Sequence, residues 1–380
     1  MPLEESLSAA PDAALADCAG PAARTTGAPA ASPAAAPSGP ASPKPLIVRF
    51  GAMGDMVMIS TLVSALSSRY GSPVDILSSG SWTRPLLAGQ PGVGTIYLLE
   101  SRKLPYLLSA EKRSLLAALR RRGPGHTWYC DTDGKCLPLL ETAGIGSDLV
   151  CNAGDLPMLE GEHLVDYWQR FACRTPAAPG QPPADRGLRR DPHLLVAAHD
   201  LEELDRWLVH RGLDGRQLLL VQPGNKRTMR RGFRRRPSNT KWWPETRWAA
   251  VVQSLAESHP QSAILMLGVP QEHDLNEQII ALAGSRNVHN LACELPIPRL
   301  LALQSRAGGM ISVDTGPAHS AAAVGCPVLV LFGVADPVRI SPRGGATPVR
   351  HLVGLGGNGP SILAITVEQV LAAWHGLPRR

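Results

Sequence analysis

Aromatic side chains make up only 4% of the 380 residues, and no apolar run approaches the roughly 18 residues that a bilayer-crossing helix requires. A soluble chain is expected. Secretory features are lacking too: Glu4 and Glu5 precede any basic residue, no continuous apolar core follows, and arginines are too few for a transit peptide. The seven cysteines, Cys18, Cys130, Cys136, Cys151, Cys173, Cys293 and Cys326, form neither a Cys-x-x-Cys nor a Cys/His spacing. Their odd number and scatter speak against a disulfide framework or a zinc site, and imply free thiols in a reducing cytosol. Large apolar side chains are almost missing from residues 1–44, which are mostly Ala, Pro, Ser and Gly. That stretch buries too little to offset its ordering entropy and reads as a disordered tail. Net charge is +6, a modest excess that suits an anionic partner without identifying one.

Beyond the tail, strand-like and helix-like segments alternate. Strands are predicted at Leu46–Phe50, Val74–Leu77, Thr95–Leu99 and Thr127–Asp131, and helices near Glu111–Arg122 and His163–Ala172. Arg174 to Arg190 is rich in Pro, Gly and Ala and reads as a linker. The second half has strands at Leu218–Gln222, Ala263–Leu267, Val288–Leu291, Met310–Val313 and Val328–Phe332. Its helices lie at Glu245–Ser258 and Asp274–Ala283. Strands separated by helical stretches imply parallel βαβ units. The expectation is an α/β protein of two Rossmann-like, doubly wound domains facing a cleft, residues 45–190 and 191–380. In such sheets ligands bind beyond the carboxyl ends of the strands.

Two strand-to-helix turns carry chemistry. Ser312-Val313-Asp314-Thr315-Gly316-Pro317-Ala318-His319 brings a carboxylate, a hydroxyl, an imidazole and helix-start amides to one point. Such a point suits a phosphate, although Asp314 or Thr315 serving only as a helix cap is an equally ordinary use of these residues. Near the other end, Leu46-Ile47-Val48-Arg49-Phe50 is followed by Gly51-Ala52-Met53-Gly54-Asp55. Gly51 and Gly54 permit unusual φ values and close approach by a ligand. Asp55 reads either as a functional carboxylate or as the helix cap.

Arg49-Phe50-Gly51-Ala52-Met53-Gly54-Asp55-Met56-Val57 resembles the opening motif of the ADP-heptose:lipopolysaccharide heptosyltransferases, and Val313 to His319 resembles their second signature. The continuation from Ala322 to Gly333, with Asp336-Pro337 after it, keeps the pattern. Val221-Gln222-Pro223-Gly224 and Lys241-Trp242-Trp243-Pro244 through Trp248 are similar to the middle motif. The resemblance runs over residues 45 to 376, with the motifs in order. It implies the GT-B glycosyltransferase fold, with an acceptor domain at 45–190 and a nucleotide-sugar domain at 191–380. It also implies inverting transfer from ADP-heptose with no cofactor and no metal. Asp55 then matches the family's catalytic base. Lys241 matches the phosphate-contacting lysine, Asp314 a residue near the donor sugar, and Glu272 a carboxylate near the ribose. Thr315, Gly316 and His319 join the donor site. The bland alternatives are a solvated Lys241, a surface Glu272 at a helix start and a core or capping His319. A carboxylate beside a helix N-terminus is held in its charged form, which works against a base.

One segment departs from the family pattern. After Asn225, the eleven residues Lys226 to Arg236 hold seven cations and one aromatic. They fit a solvated loop, a contact to a phosphorylated glycolipid acceptor or the anionic leaflet, or nucleic acid. Because they adjoin the predicted phosphate site, contact with the donor or acceptor anion is favoured, the membrane surface comes next, and nucleic acid is not an expected partner. The expected partners are a nucleotide-sugar donor and a glycolipid or glycan acceptor. The protein is expected in the cytoplasm, with peripheral contact at the inner face of the membrane. A protein acceptor for the same sugar, or a non-catalytic anion- or lipid-binding role, are the alternatives.

Overall fold

The computed structural model describes residues 44–100, 109–176, 190–225, 239–357 and 359–379. The Ala/Pro-rich tail to residue 43, most of the linker and the basic stretch 226–236 lie outside the described residues.

The first sheet contains β1 (Leu46–Val48), β2 (Val74–Ser78), β3 (Val93–Leu98), β4 (Thr127–Tyr129) and β5 (Val150–Asn152), all parallel, in the order β3-β2-β1-β4-β5. Its helices are α1 (Met53–Met58), α2 (Ser60–Tyr70), α3 (Thr83–Leu87), α4 (Ala110–Arg122), α5 (Leu137–Thr142) and α6 (Leu164–Ala172). The second sheet contains β6 (Leu218–Gln222), β7 (Ala263–Met266), β8 (Val288–Asn290), β9 (Gly309–Val313), β10 (Val328–Phe332) and β11 (Val349–Val353). They are parallel in the order β11-β10-β9-β6-β7-β8, the Rossmann arrangement. Around them lie α7 (Ala198–His210), α8 (Glu245–Ser258), α9 (His273–Ala283), α10 (Ile297–Arg306), α11 (Gly316–Ala323), α12 (Pro337–Ile340) and α13 (Val367–His375).

Why these strands read as continuous apolar runs is visible in the packing. In β6, Leu219 and Val221 enter one cluster with Trp248 and Trp374, while Leu218 and Leu220 enter another with Leu303 and Ala318. In β1, Ile47 packs with Met56 and Trp128, whereas Leu46 and Val48 face Leu116 and Tyr129. Both faces are covered by helices, so alternation between polar and apolar residues is lost. The partly exposed edge strands β5 and β11 carry no such run and were not predicted, nor were α3, α5, α7, α10, α12 and α13.

The described residues belong to one compact unit. Leu301 of α10 and Ala323 of α11 are buried in the same cluster as Ile47, Leu62 and Trp168 of the first half, and Leu194 joins them. The Leu194 amide donates to the Ala323 carbonyl. Gln90 exchanges two hydrogen bonds with the Leu195 backbone. At a second point His163 caps α6, its Nδ1 accepting the Val165 N–H, so its Nε2–H donates to the Ser341 carbonyl at 2.8 Å. Arg343 pairs with Asp166 beside it.

The tightest approach joins α1 to α11. A Cβ on Gly54 would lie 2.8 Å from the His319 Cδ2, and one on Gly316 would lie 2.7 Å from the Met53 Cβ. Neither glycine has a left-handed φ. The expectation that Gly51 and Gly54 supply unusual φ angles is therefore corrected: they supply space for neighbouring side chains.

Because Leu301 is shared between halves, Leu301→Ala should lower the unfolding free energy by about 2–5 kcal/mol. Chemical denaturation followed by tryptophan fluorescence should show one transition moving to lower denaturant, with the two halves staying coupled.

Candidate active site

Strand order reverses between β1 and β4 in the first sheet and between β6 and β9 in the second, and ligands bind doubly wound sheets at such points. The residues just past these four strand ends are Arg49, Asp131, Gly224 with Asn225, and Asp314. The contact between α1 and α11 brings the first and second sets to one crevice.

On the first side, Ala52 occupies the cap position of α1 and has no side-chain acceptor. Asp55 is the third helical residue, and its Oδ2 accepts the Ala52 N–H at 2.9 Å, the reciprocal half of a capping box. Its Oδ1 accepts from Arg49 Nη2 at 2.9 Å. Arg49 Nη1 donates to the Cys130 carbonyl and to Asp131 Oδ1. Burial works against the Arg49 charge, but Asp55 and Asp131 more than offset it and hold the guanidinium protonated. Gly51 is required by this group, since a Cβ there would lie 2.5 Å from the Asp55 Cβ.

On the second side, Lys241 Nζ donates to Asp314 Oδ2 at 2.5 Å and to the Asp314 carbonyl at 2.9 Å. Lys241 is thus partly buried and paired. Asp314 does not cap α11: Thr315 holds the cap position, makes no capping side-chain bond, and has its hydroxyl 3.0 Å from Ser312 Oγ. His319 is 4% exposed, with Nε2 3.9 Å from Asp314 Oδ1 and a buried Nδ1 that has no hydrogen-bond partner among the described residues. Burial drives its pKa down to about 4, against the pull of Asp314 and Asp55 and aided by Lys241 and His163. The imidazole is therefore neutral at physiological pH. Both Asp55 and Asp314 act on it, as expected of groups around one space.

Glu272 sits at the end of β7, tied to β6. Its Oε2 accepts from the Val269 amide and from Gln222 Nε2, and a Cβ on Gly224 would strike its Oε1. Burial raises its pKa against those two donors. A surface carboxylate is excluded at 4% exposure.

The structure therefore brings Asp55, Lys241, Asp314, Thr315, Gly316 and His319 together, with Gly51 and Gly54 as the space between them. Glu272 belongs to the adjoining β6–β7 edge. Three participants went unread in the sequence. Asn225 and Asn239 hold the Lys241 backbone, Asn239 Oδ1 accepting its N–H at 3.2 Å and Asn225 Nδ2 donating to its carbonyl at 3.4 Å. Asp131 was also missed, although Asp131-Thr132-Asp133 is an Asp-x-Asp pattern that could have drawn attention. Its carboxylates diverge: Asp131 serves Arg49 and the Phe50 amide, Asp133 serves Tyr129 and Lys135. Among the described residues no group of three or more His, Cys, Asp or Glu is placed to hold a metal ion.

Two Rossmann sheets meeting at their switch points are the GT-B arrangement. Residues 232–351, about a third of the chain, match the model of glycosyltransferase family 9 (heptosyltransferase). Lipopolysaccharide heptosyltransferase 2 of Salmonella typhimurium is 24% identical over 362 residues, 88% of this chain and 98% of that protein. The solved ADP-heptose lipopolysaccharide heptosyltransferase II of Escherichia coli aligns with a TM-score of 0.68 at 20% identity, over 88% of this chain and 98% of that one. Escherichia coli heptosyltransferase WaaC with ADP gives 0.66 at 18%, over 88% and 99%. These structures share the fold.

The buried His319 makes stability depend on pH. The unfolded chain binds its proton near 6.5 and the folded chain only near 4, so stability falls as pH drops through that window. The loss attributable to this residue should reach about 2–3 kcal/mol by pH 4.5. Comparing denaturation at pH 7 and 4.5 in the native protein and in His319→Gln should show a smaller pH dependence in the variant.

Proposed function

We propose that the protein transfers a heptose from ADP-heptose to a lipopolysaccharide core acceptor, with inversion and without a metal ion. The supporting observation is the apposition, across the Gly54–His319 contact, of a carboxylate on one half and a lysine–carboxylate pair on the other. In the proposed reaction an acceptor hydroxyl attacks the anomeric carbon, its proton passes to Asp55, and the bond to the diphosphate oxygen breaks to release ADP. Lys241 and the amides at Thr315 and Gly316 stabilise the departing diphosphate. Asp314 holds Lys241 until the donor arrives and then lies by the sugar, with His319 as a neutral neighbour. Glu272, at the β6–β7 edge, accepts from the ribose hydroxyls.

The division of labour follows: residues 45–190 take the acceptor and 191–380 the donor. The seven cations of 226–236, close in sequence to Lys241, favour a phosphorylated acceptor or the anionic cytoplasmic leaflet as their partner. Among the described residues no helix is long and apolar enough to cross a membrane, which suits peripheral contact from the cytoplasm.

Incubation with ADP-heptose, UDP-sugars and GDP-sugars and a panel of core lipopolysaccharides truncated before or within the heptose region, read by mass spectrometry, should give transfer from the adenine nucleotide alone. Equal use of other nucleotides overturns the donor. Asp55→Ala should abolish transfer while calorimetry finds donor affinity nearly intact. Deleting Thr228 to Arg235 should weaken acceptor or vesicle binding most at low salt, since exposed charges are screened within about 10 Å at 0.1 M. An unchanged salt profile assigns the stretch to solvation.

A further inference from the structure

The first half of the crevice contains a charge chain that the proposed reaction does not by itself explain. Arg49 immediately follows β1, and its amide is fixed to the Leu77 carbonyl. Its guanidinium forks: Nη2 reaches Asp55, Nη1 reaches both Asp131 and the Cys130 carbonyl at the end of β4. The plane lies over the Trp168 ring, 5.7 Å from its centroid. Asp131 is locked in turn, because its second oxygen accepts the Phe50 N–H at 3.1 Å. The side chains of Arg49 and Asp131 are 20% and 10% exposed, against 29% for Asp55. The chain thus starts in the protein and ends at the crevice.

We propose that Arg49, braced by Asp131, is the positioning residue that sets the Asp55 carboxylate for proton abstraction. This rests on the reading of Asp55 as the base. A carboxylate turns freely about its last torsion unless both oxygens are held. Here Oδ1 is held by Arg49 and Oδ2 by the Ala52 amide, and each oxygen keeps lone-pair capacity for an acceptor hydroxyl. A lone arginine would hold the carboxylate but also draw away its negative charge. Asp131 takes up part of that cation's field, so the three groups together carry one net negative charge. The planar fork is needed to reach two acids and a carbonyl at once, a task for which a lysine ammonium has the wrong geometry. Gly51 completes the arrangement, since a Cβ there would meet both Asp55 and the Arg49 Nε.

The test uses the full-length protein with ADP-heptose and the same lipopolysaccharide panel, measuring ADP release under saturating and limiting donor. Arg49→Met should lower kcat by about 100-fold, the loss a misplaced reacting group causes, with the donor KM within about twofold. Arg49→Lys should recover part of kcat, about tenfold over Arg49→Met, because it restores charge but not the fork. Asp131→Asn, which keeps shape and the acceptor for Phe50, should lower kcat by about tenfold with the same KM pattern. A kcat within about threefold of the native value in Arg49→Met, or a loss carried by donor KM, overturns the proposal. Should Arg49→Met fail to fold by circular dichroism, Asp131→Asn decides, and an unchanged kcat there is equally fatal. Asp55→Asn separates the two levels. If it retains turnover the base assignment fails; if it is inactive while the Arg49 and Asp131 variants work normally, only the positioning role fails.

Discussion

The molecule depends on the contact between the starts of α1 and α11. Gly54 lies against the His319 ring and Gly316 against Met53, at distances that leave no room for a further carbon atom. Everything chemical is arranged around this seam. Asp55 comes one residue after Gly54 and Asp314 two residues before Gly316, so closing the seam fixes where both carboxylates stand. Apolar packing from Leu301, Ala323 and Leu194 into the first core holds the seam together with the polar links at Gln90, His163 and Arg343.

Charge in the crevice is kept in local pairs. Asp55 is matched by Arg49 from its own sheet, and Asp314 by Lys241 from its own sheet. His319 between them is neutral because desolvation outweighs two nearby acids. Removing either member of the Lys241–Asp314 pair would leave the other charge without its partner, which is costly.

Much of the fold was legible because both sheets are buried on both faces. Leu218–Val221 and Val328–Phe332 are uninterrupted apolar runs for that reason, and the glycine turns after β1 and β9 mark the strand ends that meet at the junction. Strands without that burial left weaker traces: β5 is a partly exposed edge strand, and β11 exposes Arg350 and His351 at the edge of the second sheet. The site was legible as separate motifs but not as contacts. Lys241 looks like any solvated lysine until Asp314, 73 positions away in sequence, meets it. Gly51 and Gly54 suggested backbone freedom, while their use is steric and depends on side chains that only the folded chain brings near. Asp131 escaped notice because its partner Arg49 is 82 residues earlier, on a neighbouring strand.

The reciprocal fit of Gly54 with His319 and Gly316 with Met53 also bears on modularity. Two Rossmann units look interchangeable, and a hybrid that takes one half from a relative is easy to conceive. Here the grafted surface would have to bring its own histidine and glycine to match the recipient's glycine and methionine. A chimaera that ignores these four positions would inherit a wedge at the seam, and Asp55 and Asp314 would be displaced from their present places however faithfully each half folded.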